Sequence, residues 1–478
     1  MTLKTRFIGP VLALAVVFFS FSPASGAGQT LEDILRMVES ENPELKALTS
    51  EYLASVEKIA QARGLPDPQL SAGIFLRPME RYMGDQTAGF QAMQMFPWPG
   101  TLGDAGREAA AMAQARFEAW REARSRLLFD AKAAWYAFYI LDRELSITRE
   151  TLILLHSLED IARTKFSVGE SGTMPGKPSK PGIPGKIMSG AGSGGGMERM
   201  AGMPGSDAPK SAGTASSAMR GAMPMMAGSG AGLADLLLIR MEILEIENRL
   251  EFLDDDRAVA AARLNGFMDR NPREPVELPE ALPTAEMPLS PENANEKIGR
   301  NNPMLKMLES EGLALSAKES MNRKMGRPMF GLGLQYETFR PRRDQEGHDR
   351  KMSMLMPMVT VSIPLWRKKY AAAIGETRLQ LKALEDKERD ARNWLTVGYQ
   401  EALARFRDAE RRIALSGELA GLARQALDIM TAGYSTGGSD FEEILRLQRR
   451  LLDLRLKLIE AEADRNIAVA LVERLMGE

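Results

Sequence analysis

The sequence contains an internal repeat, and this repeat restricts the possible folds more than any other feature of the chain. Residues 41–46, Glu-Asn-Pro-Glu-Leu-Lys, recur at 301–306 as Asn-Asn-Pro-Met-Leu-Lys, which is an offset of 260 residues. Residues 166–169, Phe-Ser-Val-Gly, recur at 434–437 as Tyr-Ser-Thr-Gly, which is an offset of 268 residues. Because the matching segments come in the same order, we expect two copies of one structural unit.

The offset between the two copies changes abruptly towards the end of the first copy. Residues 233–237, Leu-Ala-Asp-Leu-Leu, match residues 441–445, Phe-Glu-Glu-Ile-Leu, with an offset of only 208 residues. The first copy therefore carries an insertion of about 60 residues, at about 172–231. Between the copies, a segment with six prolines predicts a stiff linker without helix. The predicted order is a first repeat, this linker and a second repeat, at residues 28–270, 271–291 and 292–478.

The N-terminus has the pattern of a secretory signal. Lys4 and Arg6 precede an apolar run at residues 8–21, and small residues follow as far as Ala27. This order predicts a signal peptide over residues 1–27, with an uncleaved N-terminal anchor as the alternative. The chain has no cysteine, so disulfides, thiolate metal sites and a lipid-modified cysteine are all excluded. We therefore expect an exported protein without lipid modification.

The composition argues against catalysis and against nucleic-acid binding. Lys and Arg total 62 and Asp and Glu total 64, so the chain has no basic excess with which to bind phosphates. Its two histidines, His156 and His348, are far apart in sequence, and no Ser/His/Asp, HExxH or P-loop pattern accompanies them. We expect a protein that is not an enzyme, needs no cofactor and binds no nucleic acid.

Each copy begins with a helical pattern and then changes to two short segments with the two-residue period of β-strands. In the last of these segments, Leu355, Val359 and Val361 share one face, while methionines at 352, 354, 356 and 358 share the other. One apolar face is typical of a strand between lipid and a water-filled lumen, and the methionines fit either a lumen lining or ordinary strand packing. The helical stretches are predicted at 31–63 and 292–325, and the strands at 67–78, 87–96, 328–339 and 352–366, giving hairpins within 67–96 and 328–366.

A helix of unusual length follows each hairpin. No proline occurs from Thr101 to Thr173 or anywhere after Leu365, and both stretches are rich in strong helix formers. A helix from residue 104 to residue 165 would be about 90 Å long at 1.5 Å per residue. In the C-terminal stretch, leucines form two adjacent apolar seams, which suit either a helical barrel or an ordinary amphipathic bundle. The predicted fold class is mainly α with a small antiparallel β part.

Four predicted strands per chain are too few to close a sheet on itself. An open sheet edge in hydrocarbon leaves backbone N–H and C=O groups unpaired, at a cost of several kcal/mol each. Further copies of the chain must then supply the missing neighbours, and three copies around a symmetry axis would provide twelve strands. A soluble pair of hairpins packed on helices is the alternative.

The order of helix, hairpin, long helix, turn and returning helix, present twice behind a signal peptide, resembles the TolC family of outer-membrane efflux proteins. The most specific segments are residues 94–100, Gln-Met-Phe-Pro-Trp-Pro-Gly, and residues 432–437, Ala-Gly-Tyr-Ser-Thr-Gly. The resemblance implies a homotrimer, whose twelve-stranded β-barrel contacts outer-membrane lipid and continues into a long periplasmic α-helical barrel. It also implies two partners, a periplasmic adaptor (membrane fusion protein) and an inner-membrane pump of the RND type.

In the TolC family, the turns between the long helices form the periplasmic entrance of the channel. The resemblance implies that Tyr434 helps to hold this entrance shut, and that Glu443, with Asp235 as its counterpart in the first copy, narrows it with negative charge. Acids at these positions would equally complement a helix N-terminus. Ser439 and Arg446 replace a basic and an acidic residue of the family, so its closed-state ionic contacts do not carry over. The predicted entrance residues are Phe166, Asp235, Tyr434, Ser439, Glu443 and Arg446.

The insertion is rich in glycine, proline, serine and methionine, a composition that predicts disorder. Thioethers are soft ligands that select Cu(I) and, by the same argument, Ag(I). We therefore hypothesise that the insertion collects Cu(I) or Ag(I) as cargo at the channel mouth. The alternatives are low-complexity sequence that has drifted without a function, and a flexible contact with the adaptor. The candidate ligands are Met197, Met200, Met203, Met223, Met225 and Met226.

Two other functions fit the same sequence. A periplasmic coiled-coil scaffold or adaptor would share the long helices and would need no membrane strands. The same channel would also serve drug efflux or type I protein secretion, because such channels take much of their specificity from the pump.

Overall fold

The structure, a computed structural model, describes residues 30–77, 80–81, 84–171, 230–288, 290–340, 352–435 and 440–478. Within these ranges the chain forms long helices and one small antiparallel sheet, which confirms the predicted fold class. The predicted signal peptide and nearly all of the insertion lie outside the described residues. The helices are α1 (Leu31–Glu41), α2 (Pro43–Arg63), α3 (Thr101–Ser171), α4 (Gly230–Phe267), α5 (Pro291–Asn301), α6 (Pro303–Met325), α7 (Arg367–Ser435) and α8 (Phe441–Met476). The strands are β1 (Gln69–Ile74), β2 (Glu80–Arg81), β3 (Gly84–Phe96), β4 (Met329–Arg340) and β5 (Met352–Ser362).

Each of the two predicted helical stretches, 31–63 and 292–325, consists of two helices that meet at an Asn-Pro pair. α1 ends at Glu41 and α2 begins at Pro43, while α5 ends at Asn301 and α6 begins at Pro303. Proline has no N–H to donate and crowds the preceding residue out of helical conformation, so it is tolerated at the start of a helix but not in its interior.

Asn42 and Asn302, which stand between these helices, make the same contacts in both copies. The side-chain oxygen of each accepts hydrogen bonds from the backbone N–H groups two and three residues further on. The Asn42 amide donates to the Phe267 carbonyl at 3.0 Å, and the Asn302 amide donates to the Leu475 carbonyl at 2.9 Å. The asparagines are 260 residues apart and their acceptors 208 residues apart, which are the two offsets of the repeat. The same joint therefore fixes each N-terminal helix pair to the end of α4 or α8.

The sheet has four main strands in the order β1-β3-β4-β5, all antiparallel, and β2 pairs with β3. At its centre, Phe90 of β3 pairs with Tyr336 of β4, and Met93 pairs with Gly333. Because β3 comes from the first copy and β4 from the second, this pairing joins the two hairpins. β1 and β5 each have a neighbour on one side only among the described strands. Both outer edges of the sheet are therefore available for pairing.

The strand ends differ from the predicted ones by a few residues. β1 ends at Ile74 rather than at residue 78, β3 begins at Gly84 rather than at residue 87, and β5 ends at Ser362 rather than at residue 366. Alternation of side chains identifies the middle of a strand, whereas its ends depend on which partner residues are available for backbone pairing. The two-residue β2 was not predicted.

The larger of two compact units comprises Met1–Ile147, Glu251–Leu422 and Leu452–Glu478. Its first core cluster includes Trp135 and Phe138 of α3, with Ile34 of α1. The linker between α4 and α5 packs against this cluster through Val276, and Arg143 donates a hydrogen bond to the Pro279 carbonyl at 2.8 Å. The linker contains neither helix nor strand from residue 268 to residue 288, so contacts with α3 hold it in place.

The smaller unit comprises Thr148–Leu250 and Ala423–Leu451. It contains parts of α3, α4, α7 and α8, and its turns at 172–229 and 436–439 lie outside the described residues. Its buried side chains include Leu155, Leu158, Ile239, Ile243, Tyr434, Phe441 and Ile444. None of the helices in the described ranges, in either unit, combines the length and the apolar composition that a membrane-spanning helix requires.

Candidate functional site

Tyr434 and Asp235, two of the predicted entrance residues, are brought together in the smaller unit. The Tyr434 hydroxyl, on the last turn of α7, donates a hydrogen bond to an Asp235 carboxylate oxygen on α4 at 3.1 Å. The Tyr434 ring is 2% exposed and packs against Phe441, with the ring centroids 5.2 Å apart. One residue therefore contacts both α4 and the start of α8.

The protonation state of Tyr434 is fixed by its surroundings. Burial raises the pKa of the Tyr434 hydroxyl, and the charge and hydrogen bond of Asp235 raise this pKa further. Both effects act in the same direction because a phenolate would be poorly solvated and would be repelled by the neighbouring carboxylate. The hydroxyl consequently remains a hydrogen-bond donor at any physiological pH.

A second polar contact in the same unit joins Glu242 of α4 to Arg449 of α8. Glu242 is 6% exposed, and the Arg449 Nε lies 3.0 Å and 2.8 Å from its two carboxylate oxygens. The other guanidinium nitrogen, Nη2, also contacts Glu242. Sequence reasoning missed this pair because the repeat gives no sign of it. The residue that matches Glu242 in the second copy is Arg450, and the residue that matches Arg449 in the first copy is Met241.

The other predicted entrance residues do not join this cluster in the described part of the structure. Glu443 is exposed on the first turn of α8, and Arg446 forms an ion pair with Glu442 at 2.9 Å. Phe166 lies on α3 and its side chain is outside the described residues, as is Ser439. The entrance roles of these four residues stay predictions.

The predicted methionine ligands of the insertion also lie outside the described residues. Within the described ranges, no three histidine, aspartate or glutamate side chains are grouped as a metal site would require. The six candidates remain Met197, Met200, Met203, Met223, Met225 and Met226.

The segment 94–100, which carried the family resemblance, leads into a group of polar contacts at the start of α3. Gly100 has φ +86°, a left-handed conformation that favours glycine, and its carbonyl accepts a hydrogen bond from the Lys324 amine at 3.4 Å. The same amine lies 2.7 Å from Asp104, whose side chain is fully buried. Ser320 also donates to Asp104 at 2.7 Å, and Arg107 contacts it. This buried carboxylate therefore ties the start of α3 to α6.

One face of the sheet is mainly apolar and exposed, with polar side chains such as Gln94 and Thr338 towards the ends of the strands. Residues that pair across the four main strands form rows on this face. One row is Leu70, Ala92, Leu334 and Pro357, and another is Ala72, Phe90, Tyr336 and Leu355. The exposed fractions reach 80% at Leu70, 79% at Ile74 and 72% at Val359. A surface of this kind is unfavourable in water and favourable against lipid.

The opposite face carries polar side chains and methionines. Gln91 and Gln335 are neighbours, and Gln335 donates a hydrogen bond to Glu337 at 2.7 Å. Alternation between a mainly apolar face and a face with amides and a carboxylate matches strands that separate lipid from a water-filled lumen.

Comparisons with known proteins agree with this geometry. A sequence profile of the family described as outer membrane efflux protein matches residues 296–478. No curated protein matches the sequence. Among solved structures, CusC is similar with a TM-score of 0.69 and 12% identity, over 99% of this chain and 99% of that chain. The open-state MtrE outer membrane channel of Neisseria gonorrhoeae is similar with a TM-score of 0.65 and 12% identity, over 100% of this chain and 98% of that chain. The outer membrane protein VceC of Vibrio cholerae is similar with a TM-score of 0.67 and 13% identity, over 93% of this chain and 95% of that chain.

The fold is thus that of the TolC-type outer-membrane channels, and it extends over nearly the full length of the solved structures. Residues 296–478 carry the sequence pattern of the outer membrane efflux protein family, and the fold of the described residues agrees with that of the solved outer-membrane channels. The resemblance found in the sequence is confirmed.

Proposed function

We propose that the protein is the subunit of an outer-membrane efflux channel, a passive duct through which solutes leave the cell. The observation that carries this proposal is the sheet of four main strands with one mainly apolar, exposed face. Such a face is stable against lipid, and the polar face behind it suits a water-filled lumen. The family match over residues 296–478 supports the same function.

The functional unit in this proposal is a homotrimer. The outer edges of β1 and β5 would leave backbone N–H and C=O groups unpaired in hydrocarbon, where each costs several kcal/mol. Pairing β5 of one copy with β1 of the next removes both edges, and three copies close a twelve-stranded barrel. The long helices would then extend into the periplasm as a second, helical barrel.

The proposed partners follow from the passive nature of the duct. Solutes must be delivered to its periplasmic end, and we propose that a periplasmic adaptor and an inner-membrane pump of the RND type do so. The profile match over residues 296–478 supports this arrangement. Drug efflux and type I protein secretion require the same duct, so the adjoining pump decides which cargo is carried.

Membrane fractionation combined with the native mass of the detergent-extracted protein tests this function. We expect the mature chain in the outer membrane, with a native mass close to three times that of one chain, and pores in planar bilayers. A monomer found in the soluble periplasmic fraction would contradict the proposal and would favour a periplasmic scaffold.

We further propose that the contact between Tyr434 and Asp235 holds the periplasmic end of the channel in a narrow state. Tyr434→Phe removes the hydroxyl and leaves the buried ring in place, so we expect more frequent opening or a larger conductance in planar bilayers. Tyr52→Phe is a matched control, because the contact of Tyr52 with Phe117 is between rings, 5.4 Å apart. Equal conductance of Tyr434→Phe, Tyr52→Phe and the unchanged protein would contradict this role.

The cargo that we propose for the insertion is Cu(I) or Ag(I), on the chemistry of its methionines. Titration of the purified protein with Cu(I), before and after deletion of residues 172–231, tests the assignment. We expect the deletion to remove tightly bound Cu(I), and equal binding by both proteins would exclude the insertion as a copper site.

A further inference from the structure

Six methionines whose side chains the structure describes lie on the polar face of the sheet, and together they form what we name the thioether face. They come from three different strands, and the pairing register places them close to one another. Met93 and Met358 are both partners of Gly333, one on either side, and Met356 follows in the next row beside Gln335. The thioether face comprises Met93, Met95, Met329, Met354, Met356 and Met358.

Two glycines make room for these thioethers. A Cβ at residue 331 would lie only 2.7 Å from the Sδ of Met95, and a Cβ at residue 333 would lie 3.5 Å from the Cε of Met358. The Met95 and Met358 side chains therefore lie over the glycines of β4 rather than pointing away from the sheet. The Cα atoms of Met93 and Met358 are about 10 Å apart, two strand spacings, and no side chain stands between them at Gly333.

The surroundings of the thioether face are suited to a monovalent soft cation. Glu337, on the same face of β4, is 4% exposed and supplies a carboxylate, and Gln335 and Gln91 supply amide oxygens. No lysine or arginine lies on this face in the rows between Gly331 and Glu337.

We infer that the thioether face is a soft-cation site within the lumen, which binds Ag(I) or Cu(I) weakly and in several overlapping positions. Thioethers select these ions over Mg²⁺, Ca²⁺ and Zn²⁺, for which oxygen, imidazole or thiolate ligands are preferred. Weak and multiple binding allows an ion to leave as well as to enter. The inference rests on the proposed channel function for the position of this face in a lumen, and three copies would repeat the site around the axis.

Oxidation footprinting with Ag(I) tests the inference in the full chain. Dilute peroxide converts accessible methionines to sulfoxides, and peptide mass spectrometry reads the rate at each position. A bound Ag(I) ion occupies the sulfur lone pair that would otherwise react with peroxide. We therefore expect Ag(I) to slow the oxidation of Met93, Met356 and Met358. Exposed methionines on helices, Met112, Met241 and Met325, are the internal controls, and we expect no change in their rates.

A binding measurement on variants completes the test. Met93→Leu combined with Met358→Leu keeps the side-chain volume and removes two sulfurs. We expect Ag(I) affinity at the footprinted sites to fall at least about tenfold, since even outer-shell changes cost 10–100-fold at metal sites. Met112→Leu combined with Met241→Leu is the matched control, and we expect it to leave the affinity unchanged.

The outcomes separate this inference from the channel proposal. Equal protection of sheet and helix methionines, or equal affinity of the two double variants, overturns the thioether site while leaving a pore-forming trimer intact. A chain that forms no pores overturns the channel proposal, whether or not Ag(I) binds to the sheet.

Discussion

The buried carboxylate of Asp104 stabilises the start of α3, just after the sheet. Its side chain is fully buried, and its partners Lys324 and Arg107 are 29% and 65% exposed. We expect Asp104→Asn to lower the free energy of unfolding by about 2 kcal/mol, the loss typical of hydrogen bonds to a charged group whose cationic partners are partly solvated. Denaturant unfolding of the detergent-extracted protein measures this loss. Glu388→Gln removes an exposed pair with Arg392 and serves as the control, with an expected cost below about 0.5 kcal/mol.

The stabilisation by Asp104 also depends on pH. Burial raises the pKa of the Asp104 carboxyl, but hydrogen bonds from Lys324 and Ser320 and the nearby positive charges outweigh burial and hold the pKa below its usual 3.8. A carboxyl with a lowered folded-state pKa stabilises the fold above its unfolded pKa and loses that effect as the pH falls through the folded value. The stability difference between the unchanged protein and Asp104→Asn should thus be constant at neutral pH and shrink below pH 3.8. A difference that grows on acidification would contradict this assignment.

At the scale of elements, the repeated asparagine joint gives a paired prediction. Asn42→Ala and Asn302→Ala each remove two capping hydrogen bonds and one bond to a distant carbonyl, so we expect each to cost about 2 kcal/mol of unfolding free energy. Asn42→Ser keeps a capping oxygen and loses the donor to Phe267, so an intermediate cost is expected. Denaturant unfolding of the three variants checks the order. A large cost at one asparagine with none at the other would show that the two copies do not share the joint.

Helices and strands that follow from a local sequence pattern could be predicted from the sequence. Proline-free stretches predicted the long helices α3 and α7, and alternation predicted the four main strands, because both signals arise within a few neighbouring residues. The breaks at the two Asn-Pro pairs were not predicted, because the apolar pattern of a helix continues on both sides of each pair. The ends of the strands were not predictable, since they depend on pairing between distant segments.

Some residues of the candidate site could be predicted from the sequence, whereas their contacts with distant segments could not. Tyr434 and Asp235 were recognised singly by their positions in the repeat, whereas their hydrogen bond crosses from one copy to the other and follows only from the packed helices. The ion pair of Glu242 and Arg449 was not predicted, because the matching positions in the other copy, Arg450 and Met241, form no such pair of charges. Asp104 was equally hidden, since its partners Lys324 and Ser320 come more than 200 residues later.

At the scale of the whole molecule, two adjacent residues decide whether the sheet separates lipid from a lumen. Leu334 is 49% exposed on the apolar face, and Gln335 points to the opposite face, where it bonds Glu337. A cationic side chain facing lipid costs about 2–4 kcal/mol at the bilayer midplane, and the same charge in a water-filled lumen costs little. Leu334→Arg should therefore deplete the trimer from the outer membrane, whereas Gln335→Lys, which places its ammonium group beside Glu337, should leave the amount of trimer unchanged. Fractionation and native mass of the extracted protein compare the two variants, and depletion by Gln335→Lys alone would mean that the lipid-facing and lumen-facing sides have been assigned the wrong way round.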